Sequence, residues 1–298
     1  MSAILYWLVI KPISLLPYPL LYGLSDFFFI IFYYLVGYRK KVVTANLVRC
    51  FPEKSEKEIA ALRKKFYRHF CDLVLESLKN FSITDAQAKA RMKQINYEVF
   101  EEYHRRGLGV ILGGGHYGNW ELWAVATADF FPQRLVAIYK RLSNAYFDQK
   151  MRVTRSRFGL ELVSTREYGS FIKEHHKDLI VSVIAVDQSP ADPKKCVWIE
   201  FFGQQTATHF GAEKYAKEYN LPVVFAHISK VRRGYYEVRY EKVTENPRDF
   251  AHGALMYELN RVLEQNIRKN PEFWLWSHKR WKHKRPVEEN FQESVPKS

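Results

Sequence analysis

His116 and Glu121 are the pair of residues best placed to do chemistry in this chain. They lie in the stretch Gly113-Gly114-Gly115-His116-Tyr117-Gly118-Asn119-Trp120-Glu121. Histidine titrates near neutrality, which suits a general base. A carboxylate close by in the chain can fix the tautomer of the ring and stabilise the imidazolium that forms. The apolar run Gly109-Val110-Ile111-Leu112 just before reads as a buried strand that breaks at the glycines. Without Cβ atoms, those glycines let backbone or ligand approach closely. In open α/β sheets, sites form beyond the carboxyl ends of strands. A helix starting near Gly118 puts Glu121 in its first turn. From there it can reach back to one imidazole nitrogen and leave the other free to take a proton. The spacing H-x-x-x-x-E is common on its own. The plain alternative is a surface histidine followed by a glutamate that complements a helix dipole.

Other chemistries lack their residues. There is no G-x-S-x-G elbow, no H-E-x-x-H and no G-x-x-x-x-G-K-[ST]. The triple glycine does not have the G-x-G-x-x-G spacing of a dinucleotide site. Lys173-Glu174-His175-His176-Lys177 reads as a charged helix face. Cys50, Cys71 and Cys196 have no paired spacing, which argues against a disulfide framework or a zinc site. Neither a metal nor a bound cofactor is expected.

The elements that must position His116 alternate along the chain. A capping box, Ser55-Glu56-Lys57-Glu58, opens an amphipathic helix to about Leu78. Strands are expected at Leu108–Leu112, Leu135–Tyr139, Leu160–Val163, Leu179–Val186 (read as the main β-type run), Val197–Phe201, Pro222–Ser229 and Tyr235–Val243. Helices are expected at Asn119–Phe130, Asn144–Phe158, Gly169–His176, Thr208–Tyr219 and Arg248–Lys269. This alternation predicts an α/β fold with a mostly parallel sheet flanked by helices.

The chain of 298 residues carries a formal net charge of +14, which favours an anionic partner. From Ala3 to Tyr38 only Lys11 and Asp26 are charged, and Arg39, Lys40 and Lys41 follow at once. The apolar run Phe27–Val36 reaches a marginal span only if it is extended back through Leu20. A flanking basic cluster and crowded Tyr and Phe favour an N-terminal membrane-anchor helix, with the basic end cytoplasmic, over a buried core helix. Residues 1–40 are read as the anchor, 41–286 as the catalytic domain and 287–298 as a polar, disordered tail. Near the end, Lys279, Arg280 and Lys282 interleave with Trp274, Trp276 and Trp281. That block suits an anionic membrane headgroup region. It also resembles a surface for stacking single-stranded bases, and a solvated basic tail is the simpler reading.

At this point the sequence resembles the late (secondary) acyltransferases of lipid A biosynthesis, within the lysophospholipid acyltransferase superfamily. The resemblance runs through Tyr38–Leu47, Phe51–Ser55, Gly115–Glu121, Tyr139–Asn144, Arg155–Gly159, Ala185–Gln188, Phe201–Gly203 and Trp274–Lys282. Where such enzymes usually read Tyr-Arg-Pro, this chain has Tyr139-Lys140-Arg141.

The resemblance implies a glycerol-phosphate acyltransferase-like fold and transfer of a fatty acyl chain to a hydroxyl of a lipid A precursor, in lipopolysaccharide biosynthesis. The donor would be an acyl carrier protein thioester and the place the cytoplasmic face of the inner membrane. His116 would be the base and Glu121 its partner. Arg155 would be the essential arginine that binds phosphate, and Asp187 an acid that positions a cation or a substrate hydroxyl. Lys140, Arg141, Arg157, Lys279 and Arg280 are candidates for substrate binding. Lys194-Lys195 and Arg232-Arg233 could meet the acidic carrier. No nucleic acid is expected as a partner. Two rivals remain: an acyltransferase for an aminolipid or glycolipid, and a non-enzymatic basic protein that binds membranes or nucleic acid.

Overall fold

The computed structural model describes residues 1–286, so the polar tail 287–298 lies outside the described residues. Two apolar helices come first, α1 (Ser2–Leu15) and α2 (Tyr18–Val36). Then follow α3 (Lys40–Cys50), α4 (Glu56–Lys79), α5 (Asp85–Arg91), β1 (Met92–Ile95), α6 (Glu98–Arg105) and β2 (Val110–Gly114). The central part runs α7 (Trp120–Ala126), β3 (Arg134–Tyr139), α8 (Ala145–Ser156), β4 (Glu161–Ser164), α9 (Tyr168–His175) and β5 (Ile180–Ala185). The last part comprises β6 (Val197–Phe201), β7 (Gln204–Thr208), α10 (Gly211–Tyr219), β8 (Val223–Arg232), β9 (Tyr235–Thr244) and α11 (Ala254–Lys269).

Seven strands form one sheet in the order β1-β9-β8-β2-β5-β3-β4, and β6 and β7 form a separate hairpin. Within the large sheet only the β8–β9 pair is antiparallel. The α/β expectation therefore holds. The apolar run Val110-Ile111-Leu112 is fully buried because helices cover both faces of its strand. Ile111 packs on one side with Phe225, Leu259 and Leu263, while Val110 and Leu112 pack on the other with Trp123, Val181 and Val224.

Sequence periodicity missed β1 and β7. Their core-facing positions include Gln94, Thr206 and Thr208, polar residues buried by hydrogen bonding rather than by apolarity. The longest strands are β8 and β9, at 10 residues each, and not β5. The capping box at Ser55 is present and opens α4.

The N-terminal helices pack on the rest of the fold. Leu21, Ser25, Phe29 and Tyr33 recur every fourth residue and form the buried stripe of α2. Polar ties fasten that stripe to α4: Ser25 Oγ donates to Asp72 Oδ1 at 2.8 Å and Tyr22 OH to Glu76 Oε1 at 2.9 Å. Arg233, in the β8–β9 turn, grips Asp26 and Asp72 together, each at 2.7 Å. That arginine is therefore committed within the fold.

Deleting Met1–Tyr38 removes Leu21, Phe29 and Tyr33 from the core. Burying one large apolar side chain contributes about 1.5–3 kcal/mol. The truncated chain should thus melt at least about 5 °C below the full chain in calorimetry. An unchanged melting temperature would mark the segment as an appendage that the fold does not use.

Candidate active site

The site begins with strand register. β2 and β5 are parallel neighbours with Gly114 opposite Ala185. Continuing both chains two residues past that pair brings His116 opposite Asp187. The backbone holds the register, with Val186 N–H donating to Gly114 O at 2.9 Å. Asp187 Oδ1 accepts from His116 Nδ1 at 2.7 Å, and Oδ2 accepts from the His116 backbone N–H at 2.7 Å. A third donor, Trp274 Nε1, reaches Oδ2 at 2.8 Å. Asp187 is 3% exposed, so its charge is desolvated but fully hydrogen-bonded.

These contacts fix the ring. A carboxylate on Nδ1 requires the proton there and leaves Nε2 as the acceptor. Nε2 takes a hydrogen bond from the Gln188 side-chain amide at 3.0 Å. The His116 ring remains 18% exposed and lines a cavity at the carboxyl ends of the strands. Burial pushes the His116 pKa down, but the Asp187 charge and hydrogen bond outweigh it and the net shift is upward. Burial raises the Asp187 pKa, yet the imidazole and its donors prevail and hold it down at about 2. Asp187 is therefore ionised throughout the neutral range.

The loop that carries His116 is shaped by close packing. A Cβ on Gly115 would lie 2.6 Å from Leu263, and one on Gly118 2.7 Å from Ile228. Gly118 also has φ +65°, a conformation that strains other residues. The Phe273–Arg280 segment straps the loop down. Gly118 N–H donates to Phe273 O at 3.0 Å and Leu275 N–H to His116 O at 3.1 Å. Beyond the loop, Asn119 Oδ1 caps α7 at Leu122 N–H, 2.8 Å away. Its amide donates to Glu76 Oε2 at 2.6 Å.

Glu121 does not touch the imidazole. Its carboxylate takes a two-pronged ion pair from Arg155, with Nε at 3.0 Å and Nη2 at 2.6 Å. The position expected for Glu121, against one ring nitrogen, is held by Asp187. The reason is geometric: the first turn of α7 points Glu121 toward α8, while β5 delivers Asp187 to the ring.

His116, Glu121 and Arg155 line one cavity of about 930 Å³. Lys140 and Arg141 line it too, and Arg141 pairs with Glu167 at 2.5 Å. Apolar walls come from Leu112, Trp123, Ala137, Leu162 and Val183. The other basic candidates lie elsewhere. Arg157 donates to the Asn80 and Ile83 carbonyls at 2.9 and 2.7 Å. Lys279 is exposed and is not among the lining residues. Arg280 is 1% exposed and donates to Ala207 O. Burial lowers its pKa to about 10.

The reading of the Trp block as a surface is corrected. Trp274 and Trp276 are 2% and 0% exposed, so they offer no face to headgroups or bases. They pack edge to face, 4.7 Å apart, beneath the His116 loop. Apolar bulk inside a basic run serves here as a strap.

The profile of the bacterial lipid A biosynthesis acyltransferase family matches residues 1–283. The chain belongs to that family. It is 25% identical over 279 residues to the lipid A biosynthesis lauroyltransferase of Escherichia coli (strain K12), covering 93% of this chain and 88% of that one. It is also 25% identical over 291 residues to the lipid A biosynthesis acyltransferase of Haemophilus influenzae, covering 93% and 90%.

In this member of the lipid A acyltransferase family, three residues at or behind the site were not among the candidates. Gln188 follows Asp187 directly in the quoted Asp-Gln motif, which was its signal. Trp274 sits in the block read as a surface. His278 Nε2 accepts from Ser189 N–H at 3.1 Å and steadies the same loop, and burial lowers its pKa to about 4.

The raised pKa can be checked by titrating the His116 ring by NMR. The midpoint should lie above the ordinary ~6.5. In Asp187→Asn it should fall, because the carboxylate is what favours the protonated ring. A midpoint unchanged in Asp187→Asn would contradict the pairing.

Proposed function

We propose that the protein is an O-acyltransferase that moves a fatty acyl chain from an acyl carrier protein thioester to a hydroxyl of a lipid A precursor. It would work at the cytoplasmic face of the inner membrane. The observation that carries this reading is His116 Nε2, an oriented acceptor in a cavity, with Nδ1 bound to a buried ionised aspartate. Family membership and the names of both relatives support the acyl and lipid A parts. The excess of basic residues favours an acidic carrier and an anionic surface.

A hydroxyl attacks a thioester well only once its proton leaves. The acceptor oxygen takes the place of the Gln188 amide at Nε2. His116 removes the proton as the oxygen bonds to the thioester carbonyl carbon. Asp187 holds the tautomer and stabilises the imidazolium without accepting the proton itself. The tetrahedral intermediate then collapses, the carbon–sulfur bond breaks, and the imidazolium returns the proton to the departing thiolate. The ester is formed in one transfer, with no acyl-enzyme. No metal enters this scheme. The apolar cavity walls suit the acyl chain, whereas Lys140 and Arg141 at the same cavity suit anionic groups of either substrate.

Glu121 acts in this scheme through Arg155. It holds the guanidinium fork at the cavity wall, where Nη1 lies outside the pair and can meet a phosphate oxygen.

The test is purified protein with acyl carrier protein thioester and candidate lipid acceptors, read by mass spectrometry. Acylated lipid A precursor is expected. Turnover confined to an aminolipid or glycolipid would overturn the acceptor assignment, and no thioester turnover would overturn the enzyme reading. His116→Ala should lose about 10²–10⁴-fold in kcat/KM while still folding cooperatively, with a lowered melting temperature because Asp187 loses its ring donor. Arg155→Lys keeps the charge but loses the fork. A lost charge-assisted hydrogen bond is worth about 1.5–3 kcal/mol, which is about ten- to hundredfold in rate. Wild-type turnover in Arg155→Lys would show that charge alone suffices. Activity should rise with pH on the acid side, with its midpoint displaced upward, because a raised His116 pKa keeps the base protonated to higher pH.

A further inference from the structure

Fourteen of the nineteen exposed large apolar side chains among the described residues lie within Met1–Tyr38. They include Leu8 at 73%, Trp7 at 57%, Phe27 at 57% and Leu35 at 75%. An apolar surface so concentrated needs a cover. Helix α2, with 19 residues, is long enough to cross a bilayer. Its packing argues against that orientation.

The inward stripe of α2 runs beside α4 in the opposite direction. Tyr33 packs edge to face with Tyr67, Arg68 sits over Phe29 at 5.3 Å, Ser25 bonds Asp72 and Tyr22 bonds Glu76. At 1.5 Å per residue α2 is about 28 Å long. A hydrocarbon core is about 30 Å thick. If α2 stood along the membrane normal, Arg68 and Asp72 would lie near the bilayer midplane, and Arg63, Lys64 and Lys65 would follow them into hydrocarbon. Charged groups at that depth are expensive. The packing of α2 on α4 therefore argues against a spanning α2.

We propose that α1 and α2 lie in the plane of one anionic leaflet. On this view they are a seat for the enzyme and not a transmembrane anchor. Their outward apolar faces enter the headgroup–acyl boundary while α4 stays on the aqueous side. The rim chemistry is complementary. Lys64 lies over Tyr34 at 5.9 Å, Lys150 over Trp7 at 5.3 Å, and Arg39, Lys40 and Lys41 follow α2 directly. Long basic side chains of this kind reach phosphate while their stems cover apolar surface.

The seat also meets the mouth of the cavity. Asn144 Nδ2 donates to Ser2 Oγ at 2.9 Å, and Tyr6 packs on Tyr146 at 5.9 Å. Leu142 and Ser143, just before Asn144, line the cavity, and Leu142 is 49% exposed. Seated in this way, the mouth opens at headgroup level, and a lipid acceptor reaches His116 sideways from the leaflet. That last step rests on the acyl-transfer reading. The seating itself does not.

The test uses the full chain. Pro19→Cys and Tyr38→Cys are placed singly at the two ends of α2 and treated with a membrane-impermeant maleimide in inverted inner-membrane vesicles. Both should label above the parent chain without detergent. Protection of Pro19→Cys until detergent is added would overturn the proposal in favour of a spanning helix. In parallel, the purified Leu8→Asp/Phe27→Asp double variant is compared with the parent in flotation with phosphatidylcholine–phosphatidylglycerol vesicles. Binding should weaken at least about hundredfold with an unchanged melting temperature. Unaltered flotation, or a parent dimer that the variant dissociates while still floating, would assign the face to something other than lipid. Should the double variant unfold, the cysteine labelling decides alone. None of these readouts involves turnover, so failure of the seat and failure of the acyl-transfer reading are distinguishable.

Discussion

The hydrogen-bonded contact between His116 and Asp187 is the constraint around which the rest of the molecule is arranged. It joins the ends of two parallel strands whose register leaves no freedom to slide, because a one-residue slip would turn every side chain to the other face. Asp187 is buried and charged, which is tolerable only because three donors converge on it. Two of those donors come from His116 itself and the third from the C-terminal strap. The histidine thus completes the aspartate as much as the aspartate orients the histidine.

A second buried carboxylate links this site to the N-terminal helices. Glu76 accepts from Tyr22 of α2, Asn119 of the His116 loop and Tyr236 of β9, all within 2.9 Å. Burial raises its pKa despite these donors. The same side chain therefore touches the N-terminal helix α2 and the residue that caps α7. Helix α2 and the site are fastened to each other through α4, which gives the N-terminal segment a part in positioning the loop. The strap adds a further tie, since Trp274 reaches Asp187 from a segment far away in sequence.

Local pattern made much of this legible. The glycine-flanked histidine at the end of an apolar strand is where it was expected, and the alternation of strands and helices gave the sheet. Glu121 falls in the first helical turn as the spacing implied. What the pattern could not show is which carboxylate meets the ring, because Asp187 arrives from 71 residues away through strand order. The Trp block misled for a related reason: lysines and arginines beside tryptophans look exposed, yet Arg280 and Trp276 are buried by contacts that only the fold creates. The N-terminal run reads as a span by length. Ser25 and Asp26, the residues that tie it down, count for little in an average over the whole segment.

The central claim is that Asp187 acts through His116, and a double-mutant cycle on kcat/KM tests it most directly. His116→Ala, Asp187→Asn and the double variant are compared with the parent at a fixed neutral pH, with melting temperatures recorded alongside. If the aspartate works by orienting and charging the ring, it has nothing left to act on once the ring is gone, and the double variant should be no slower than His116→Ala alone. Losses that multiply, with Asp187→Asn slowing the His116→Ala protein as much as it slows the parent, would show that the two residues act independently and would contradict this account.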